Sequence, residues 1–355
     1  MSALKKITSN QIFIPIAALL ILVIINLIHD PSFFAITLGE NAAGDNVLSG
    51  SVISILNFGS EVAILAIGMT LVTAASGGQD ISVGATMAIA GSVTLRILCG
   101  SPDNPNYDEM QAPIIVAFLI AVLVSMIFGA FNGILVSIFK IPPMVATLIL
   151  FTGGRSIASW INGGTLPKVN DASFKVFGGY IPGIPIPTPF IIAIACVIVM
   201  FLFMKFTNIG LYVQAVGINA SSSRLNGLNP QFIKFLTFVI LGICVAVAGF
   251  IKVSRNGDIN YSVIAKDIEM DAILAVALGG NALGGGKFNM GASVLGAYVI
   301  QFLTTTLYAF HVDSSALPAF KAIVVIILVV FSSPVVRDKL SSLSNKKKAL
   351  KKGVA

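Results

Sequence analysis

Apolar residues in this chain come in long unbroken runs, separated by short stretches rich in Gly, Pro and Asn. The runs do not alternate with period two, so they read as helices in apolar surroundings and not as barrel strands. A helix rises 1.5 Å per residue and needs about 20 apolar residues to cross bilayer hydrocarbon. That ruler predicts ten spans: 12–29, 51–75, 82–99, 113–139, 143–161, 188–206, 232–253, 268–285, 289–310 and 319–336. The fourth, sixth, ninth and tenth are the most continuously apolar. Glycines and polar residues interrupt the second, third and eighth. The opening "MSALKKITSN" resembles a signal-peptide start, but the run Ile12–Ile28 lacks a small-residue cleavage site, so it reads as a retained first span.

Composition narrows the class. The 355 residues are 56% hydrophobic and only 10% charged, with mean hydropathy +0.95. Soluble domains carry about 25% charged residues, so a soluble globular protein is excluded. The predicted fold class is an all-α polytopic membrane protein of about ten transmembrane helices. Residues 1–340 form a single transmembrane domain, and 341–355 a basic cytoplasmic tail. Only 30–50, 162–187 and 207–231 are long segments outside the spans, and none is large enough for a catalytic lobe.

Charge sets the orientation. Lys5, Lys6, Lys140, Lys205 and the basic tail fall on one side of a ten-span chain, whereas "HDPSFFAITLGENAAGDN" and "GSPDNPNYDEMQAP" on the other are acidic. Lys and Arg mark the cytoplasmic side, so both termini are expected there. Lys252 and Arg255, at the outer end of the seventh span, run against the rule. The net charge of +7 does not indicate nucleic acid. From Arg337 onward, seven cations stand against Asp338 alone, leaving little basic surface elsewhere; such a tail fits anionic membrane lipid. Cys99, Cys196 and Cys244 lie in or beside apolar runs without metal-ligand spacing, so no disulfide or metal site is expected.

Polar groups at membrane depth are functional hypotheses by default. Glu61 lies mid-span, and Arg155, inside the fifth span, is a possible buried partner. Arg96 and Lys321 lie near span ends. A proton relay would need several such groups, and only Glu61 and Asp80 qualify, since His29 and His311 fall in outer loops. The stretch "TAASGGQDISVGATMAIAG" (73–91) places Gly77, Gly78, Gln79, Asp80 and Ser82 between two weak spans. There, Asp80 and Ser82 either cap the helix beginning at Val83 or contact a solute. The glycine-dense "GGNALGGGKFNMG" (279–291) holds Gly279, Gly280, Asn281, Gly284, Gly285 and Gly286. It is not a Walker A loop, because Asn281 stands six before Lys287 and Phe288 follows it. A packing hinge and a ligand contact both remain open for it.

These two stretches share one grammar: "AILAIGMTLVTAASGGQDISVGAT" and "AILAVALGGNALGGGKFNMGAS" each run AILA, a Gly-Gly pair, a polar knot and a helix entry. Interrupted spans in corresponding places mark the solute route in many transporters. The candidate pathway residues are therefore Asn57, Glu61, Gln79, Asp80, Ser82 and Asn281, with the glycines as hinges. "GAFNG" (129–133) is a GxxxG pair for close helix packing, within the chain or across a dimer. "GINASSSRLNG" reads as a short helix on the cytoplasmic surface, either a plain connection or a docking helix for a soluble partner.

Several blocks in order resemble the membrane subunit of bacterial ATP-binding-cassette (ABC) sugar importers of the ribose, arabinose, xylose and galactofuranose type. They are "AILAIGMTLVTAASGGQDISVGATMAIAG", "VATLILFTGGRSIASWINGG", "AVGINASSSRLNGLNP" and "DAILAVALGGNALGGGKFNMGASVLGAYVIQ". The resemblance covers roughly 50–340, and "PTPFIIAI" with the acidic insertion after span one is most similar to galactofuranose-type permeases. It implies a monosaccharide permease in the bacterial cytoplasmic membrane, paired with a second copy or a related permease. An ABC ATPase subunit would supply the energy, and a periplasmic or lipoprotein sugar-binding protein the solute. ATP and Mg would stay on the ATPase, so this chain would be no enzyme and bind no cofactor. The resemblance also implies a coupling segment at Ala215, Gly217, Asn219, Ala220, Arg224 and Gly227. Gln79 departs from the isoleucine usual before the aspartate of the family's "GGIDLS" block. The alternatives are a proton-coupled secondary transporter or channel for a small polar solute, or an ABC permease for a nucleoside or signalling molecule.

Overall fold

The computed structural model describes residues 12–40, 44, 46–101 and 105–332. Lys5, Lys6 and the tail from Arg337, on which the placement of both termini rests, lie outside the described residues. Thirteen helices follow in order: α1 (Phe13–His29), α2 (Ser51–Ser76), α3 (Val83–Cys99), α4 (Ile114–Ser137), α5 (Pro143–Ile161), α6 (Ala172–Lys175), α7 (Thr188–Phe206), α8 (Ile209–Ile218), α9 (Ala220–Leu225), α10 (Pro230–Asn256), α11 (Ile268–Leu278), α12 (Met290–Ala309) and α13 (Leu317–Ser332). Among the described residues, α2, α4, α5, α7, α10 and α12 are long and apolar enough to cross a membrane. Of the other expected spans, α1 and α3 reach 17 residues, α13 16 and α11 only 11. The span expected over 268–285 stops at Leu278 because Gly279 and Gly280 follow, the latter in the left-handed region at φ 71°.

Burial sorts the helices into a centre and a periphery. Within their most apolar windows, α2 and α10 are each 72% buried, whereas α7 is 11% buried and offers most of its apolar surface outward. α4 packs extensively against α10, and glycine permits it. A Cβ at Gly129 would sit 2.5 Å from the Phe238 carbonyl oxygen, and one at Gly242 2.6 Å from that of Ser125. The "GAFNG" motif therefore packs α4 on α10 within one subunit, as small-residue spacing allows backbones to approach.

One end of the bundle carries a cap, and the all-helical expectation needs correction there. Residues Thr37–Glu40 (β1) and Asn46–Ser49 (β2) pair antiparallel, with Thr37 opposite Ser49. The segment is too polar and short for a span, and its exposed backbone satisfies itself by pairing across a turn. The Leu48 amide donates to the Pro185 carbonyl at 3.0 Å, and the Tyr180 hydroxyl to the Leu48 carbonyl at 2.9 Å, fixing the hairpin to the loop before α7. Before the hairpin, the Ser32 hydroxyl and amide donate to Asp30 and hold its carboxyl below the usual carboxylate range. Phe250 of α10 meets the rings of Phe118, Phe174 and Phe177 at 5.1–5.7 Å, so the cap is rooted in the core. At the opposite end, 207–230 is not a loop with one short helix. It holds α8 as well as α9, and the Asn219 side chain caps α9 by accepting from the Ser222 amide at 2.9 Å.

Candidate functional site

The hairpin-capped end is called outer here, and the end carrying α8 and α9 inner. Near the outer end, Glu61 of α2 is 1% exposed and faces two cations of α10. Lys252 Nζ lies 3.0 Å from Glu61 Oε2, and Arg255 Nη1 donates to Glu61 Oε1. Arg255 also donates to Asn57 Oδ1 at 2.9 Å and to the Gly178 carbonyl at 3.2 Å, with its guanidinium 4.5 Å from the Phe58 ring centroid. A carboxylate at this depth persists because two charges and their hydrogen bonds neutralise it. Arg155 is not its partner. α5 packs on α3 and α4, and Arg155 donates to the carbonyls of Tyr261 and Ile264, at 2.9 Å each, bracing the loop before α11. Lys321 pairs with Asp271 at 2.9 Å.

Beside Glu61 opens a cavity of about 570 Å³ between α2, α10, α11 and α12. Ser54, Asn256, Gln301 and Tyr308 line it, and their side chains make no hydrogen bond among the described residues. Its charged walls are Glu61 with Lys252, Asp271 of the Lys321 pair, and Lys266. The polar groups free to meet a solute are therefore mainly amides and hydroxyls.

The inner end joins the two glycine-broken turns. Gly77 ends α2 at φ 71°, and Gly285 and Gly286 at φ 94° and 103° reverse the chain between α11 and α12. The Gly286 amide donates to the Ala74 carbonyl at 2.9 Å, one of the oxygens a helix leaves unpaired at its C-terminus. Gln79 Nε2 donates to the Leu283 carbonyl at 3.2 Å, so the residue that departs from the family block ties one turn to the other. Gly217 of α8 is seated against both: a Cβ there would strike the Ala74 carbonyl oxygen and sit 2.6 Å from the Gly286 amide. Gly78 touches Pro143 of α5, Gly279 backs onto Ser293 of α12, and Gly284 has open space where a side chain would go. Asn281 closes its own loop, donating to Ser293 Oγ at 2.7 Å and accepting from the Asn289 amide at 2.6 Å.

Asp80 lies apart from both places. It is 3% exposed and accepts from the Ser82 amide at 2.7 Å, the Ser82 hydroxyl at 2.6 Å and Asn132 Nδ2 at 3.0 Å. The carboxylate thus closes the turn ahead of α3 and ties it to α4. Ser82 sits at the N-cap of α3, but its hydroxyl gives its hydrogen bond to Asp80 and does not accept from the helix.

The six expected pathway residues consequently occupy three places. Asn57 and Glu61 are outer, Gln79 and Asn281 inner, and Asp80 with Ser82 close a buried turn. Glu61 and Ser76 alone are separated by fifteen residues of α2, about 22 Å. Within the coupling segment, the Ala215 carbonyl accepts from the Asn219 amide, Gly227 turns the chain at φ 81°, and Ala220 and Arg224 lie on α9. Lys252, Arg255 and Asp271 beside the outer cavity lay outside the pathway assignment, whereas Gln301 stood out in the sequence as an amide at membrane depth. The signal for the first two was their breach of the charge rule: cations occur at the outer end because Glu61 holds them.

A family model described as "Branched-chain amino acid transport system / permease component" matches residues 51–333. The chain is 38% identical to the galactofuranose transporter permease protein YtfT of Escherichia coli (strain K12), over 90% of this chain and 88% of that one. It is 35% identical to the fructose import permease protein FruF of Bifidobacterium longum (strain NCC 2705), over 98% and 94%. It is 30% identical to the ribose import permease protein RbsC of Haemophilus influenzae (strain ATCC 51907 / DSM 11121 / KW20 / Rd), over 88% and 90%. No solved structure matches.

Proposed function

The chain belongs to the branched-chain amino acid transport system / permease component family, and from that premise we propose that it is the monosaccharide-conducting subunit of a bacterial ABC importer. It is a multi-pass protein of the bacterial inner membrane and not an enzyme. ATP hydrolysis belongs to a separate ATPase subunit, and a substrate-binding protein delivers the sugar. Ten passes with both termini in the cytoplasm fit the alternation of helix ends, with α1, α3, α11 and α13 as the shorter crossings. In this reading 1–340 is one permease domain, 341–355 a basic tail, and a second permease chain completes the pathway.

The observation that carries the proposal is the outer cavity. A sugar presents hydroxyls and no fixed charge, so it needs donors and acceptors that are not already paired. Gln301, Asn256, Ser54 and Tyr308 supply them. Glu61 is paired with Lys252 and Asp271 with Lys321, leaving Lys266 as the one unpaired charge in the lining among the described residues. About 570 Å³ lies within the usual range for small-molecule sites. At the inner end, α8 and α9 expose Leu211, Ile218 and Leu225, an apolar face suited to an ATPase surface. Movement of that face reaches both glycine turns through Gly217.

The test is uptake of labelled fructose, ribose and galactofuranose into vesicles holding the chain with its ATPase and binding protein. Uptake of one of them should require internal or external ATP at the ATPase face and survive collapse of the proton gradient. Gln301→Ala should raise the half-saturating concentration of binding protein-delivered sugar or lower the rate several-fold. Uptake that needs a proton gradient and no ATP would refute the assignment in favour of a secondary transporter.

A further inference from the structure

A second cavity, of about 710 Å³, opens at the inner end between the α4–α5 turn, α9 and the start of α10. Three cations line it: Lys140, Arg224 and Lys234. None of its lining residues is acidic, and the three side chains make no ion pair or hydrogen bond among the described residues. Ser137, also in the lining, is 4% exposed, and its buried hydroxyl has no partner. Like charges gathered without a counter-charge repel one another and remain in place only if an anion joins them or water screens them.

The surroundings say what kind of anion fits. Ile138, Phe139 and Val145 beside the cleft, and Phe232 on the first turn of α10, are exposed. Basic groups bordered by exposed apolar side chains at a helix end match the level of lipid headgroups, where cationic pockets between helices take anionic ones. The sequence flanking the described residues is basic: residues 1–11 contain no Asp or Glu, and 333–355 contain Asp338 against seven cations.

We propose that this inner cleft is a binding site for the phosphate headgroup of an anionic phospholipid, held by Lys140, Arg224 and Lys234 with its acyl chains along α4 and α5. Because Arg224 belongs to α9, the bound lipid joins the ATPase-facing helix to the bundle. The site is independent of which solute the chain carries, so its test reads lipid and not transport.

The full-length chain is equilibrated in vesicles of equal phosphatidylglycerol and phosphatidylcholine, and the lipids retained after gentle extraction are counted by native mass spectrometry. Phosphatidylglycerol should be retained preferentially, and Lys140→Gln with Lys234→Gln should lower that preference by about thirtyfold, as expected for removing two interfacial cations. Lys205→Gln, which removes an inner-end cation outside the cleft, should leave it unchanged. Equal retention of both lipids by the unaltered chain overturns the proposal whatever the variants do, as does an equal loss in the Lys205 variant. Release of phosphatidylglycerol by millimolar inorganic phosphate would assign the cleft to a soluble anion instead. A photoreactive phenylalanine analogue at Ile141 should label lipid in the assembled transporter; labelling of the ATPase would assign the cleft to that protein.

Discussion

Replacing Glu61 by Gln keeps the shape of the side chain and removes its charge, leaving Lys252 and Arg255 facing each other. At 3.0 Å and an effective dielectric of about 20, the Glu61–Lys252 attraction alone is about 5.5 kcal/mol. Desolvation of the carboxylate offsets much of this in the intact protein. Removing one partner of a buried pair nevertheless costs about 3–5 kcal/mol, because the remaining charge stays buried. Glu61 is 2% exposed in its side chain and Arg255 13%, so solvent relieves little of that cost. Heating the detergent-purified chain and following the monodisperse fraction should show Glu61→Gln melting several degrees lower. Arg255→Gln should do the same, and the double variant should lose clearly less than the sum, which is the signature of direct coupling. Arg155→Gln, whose guanidinium braces a loop elsewhere, should be additive with Glu61→Gln. Additivity between Glu61 and Arg255, or coupling of equal size to Arg155, would refute the assigned pair.

Three further outcomes follow from the inner half. Gly217→Val drives a side chain into the Ala74 carbonyl and the Gly286 amide, so ATP-driven sugar uptake should fall at least tenfold while membrane insertion, measured by fractionation, stays intact. Asp80→Ala strands the Ser82 and Asn132 donors and should cost about 1–3 kcal/mol of stability. Asp80→Asn should lose less in the same melting assay, and full loss of transport in a stably folded Asn variant would instead give the charge a gating role. Gly242→Val pushes α10 off α4 at the Ser125 carbonyl and should lower the melting temperature, with overpacking costing about 1–3 kcal/mol.

Much of the bundle was legible because continuous apolar length is a direct consequence of bilayer thickness. The limits came where length and contact diverge. α11 stops at Leu278 because Gly279 and Gly280 end it, although apolar residues suggest a longer run. The β1–β2 pair escaped notice since its stability comes from Pro185 and Tyr180, well over a hundred residues away. Glu61 was singled out with Arg155 as its possible partner, whereas Lys252 and Arg255 hold it. Two arginines at comparable depth compete on paper, and only the packing of α10 against α2 decides between them. Asp80 was expected to cap the helix at Val83 or to contact a solute. Its bonds to Ser82 and Asn132 instead close the turn, and the link to Asn132 depends on the unforeseen neighbour α4.

The hydrogen bond from Gln79 to Leu283 spans 204 positions of sequence. At a synthesis rate of about 5–20 residues per second, the first glycine turn leaves the ribosome roughly 10–40 s before its partner exists. Throughout that interval the Ala74 carbonyl must find water or lipid headgroups in place of Gly286. The inner junction therefore cannot close until the second glycine turn has been made. A chain truncated before α11 would lack Leu283 and Gly286, and would leave that joint permanently open.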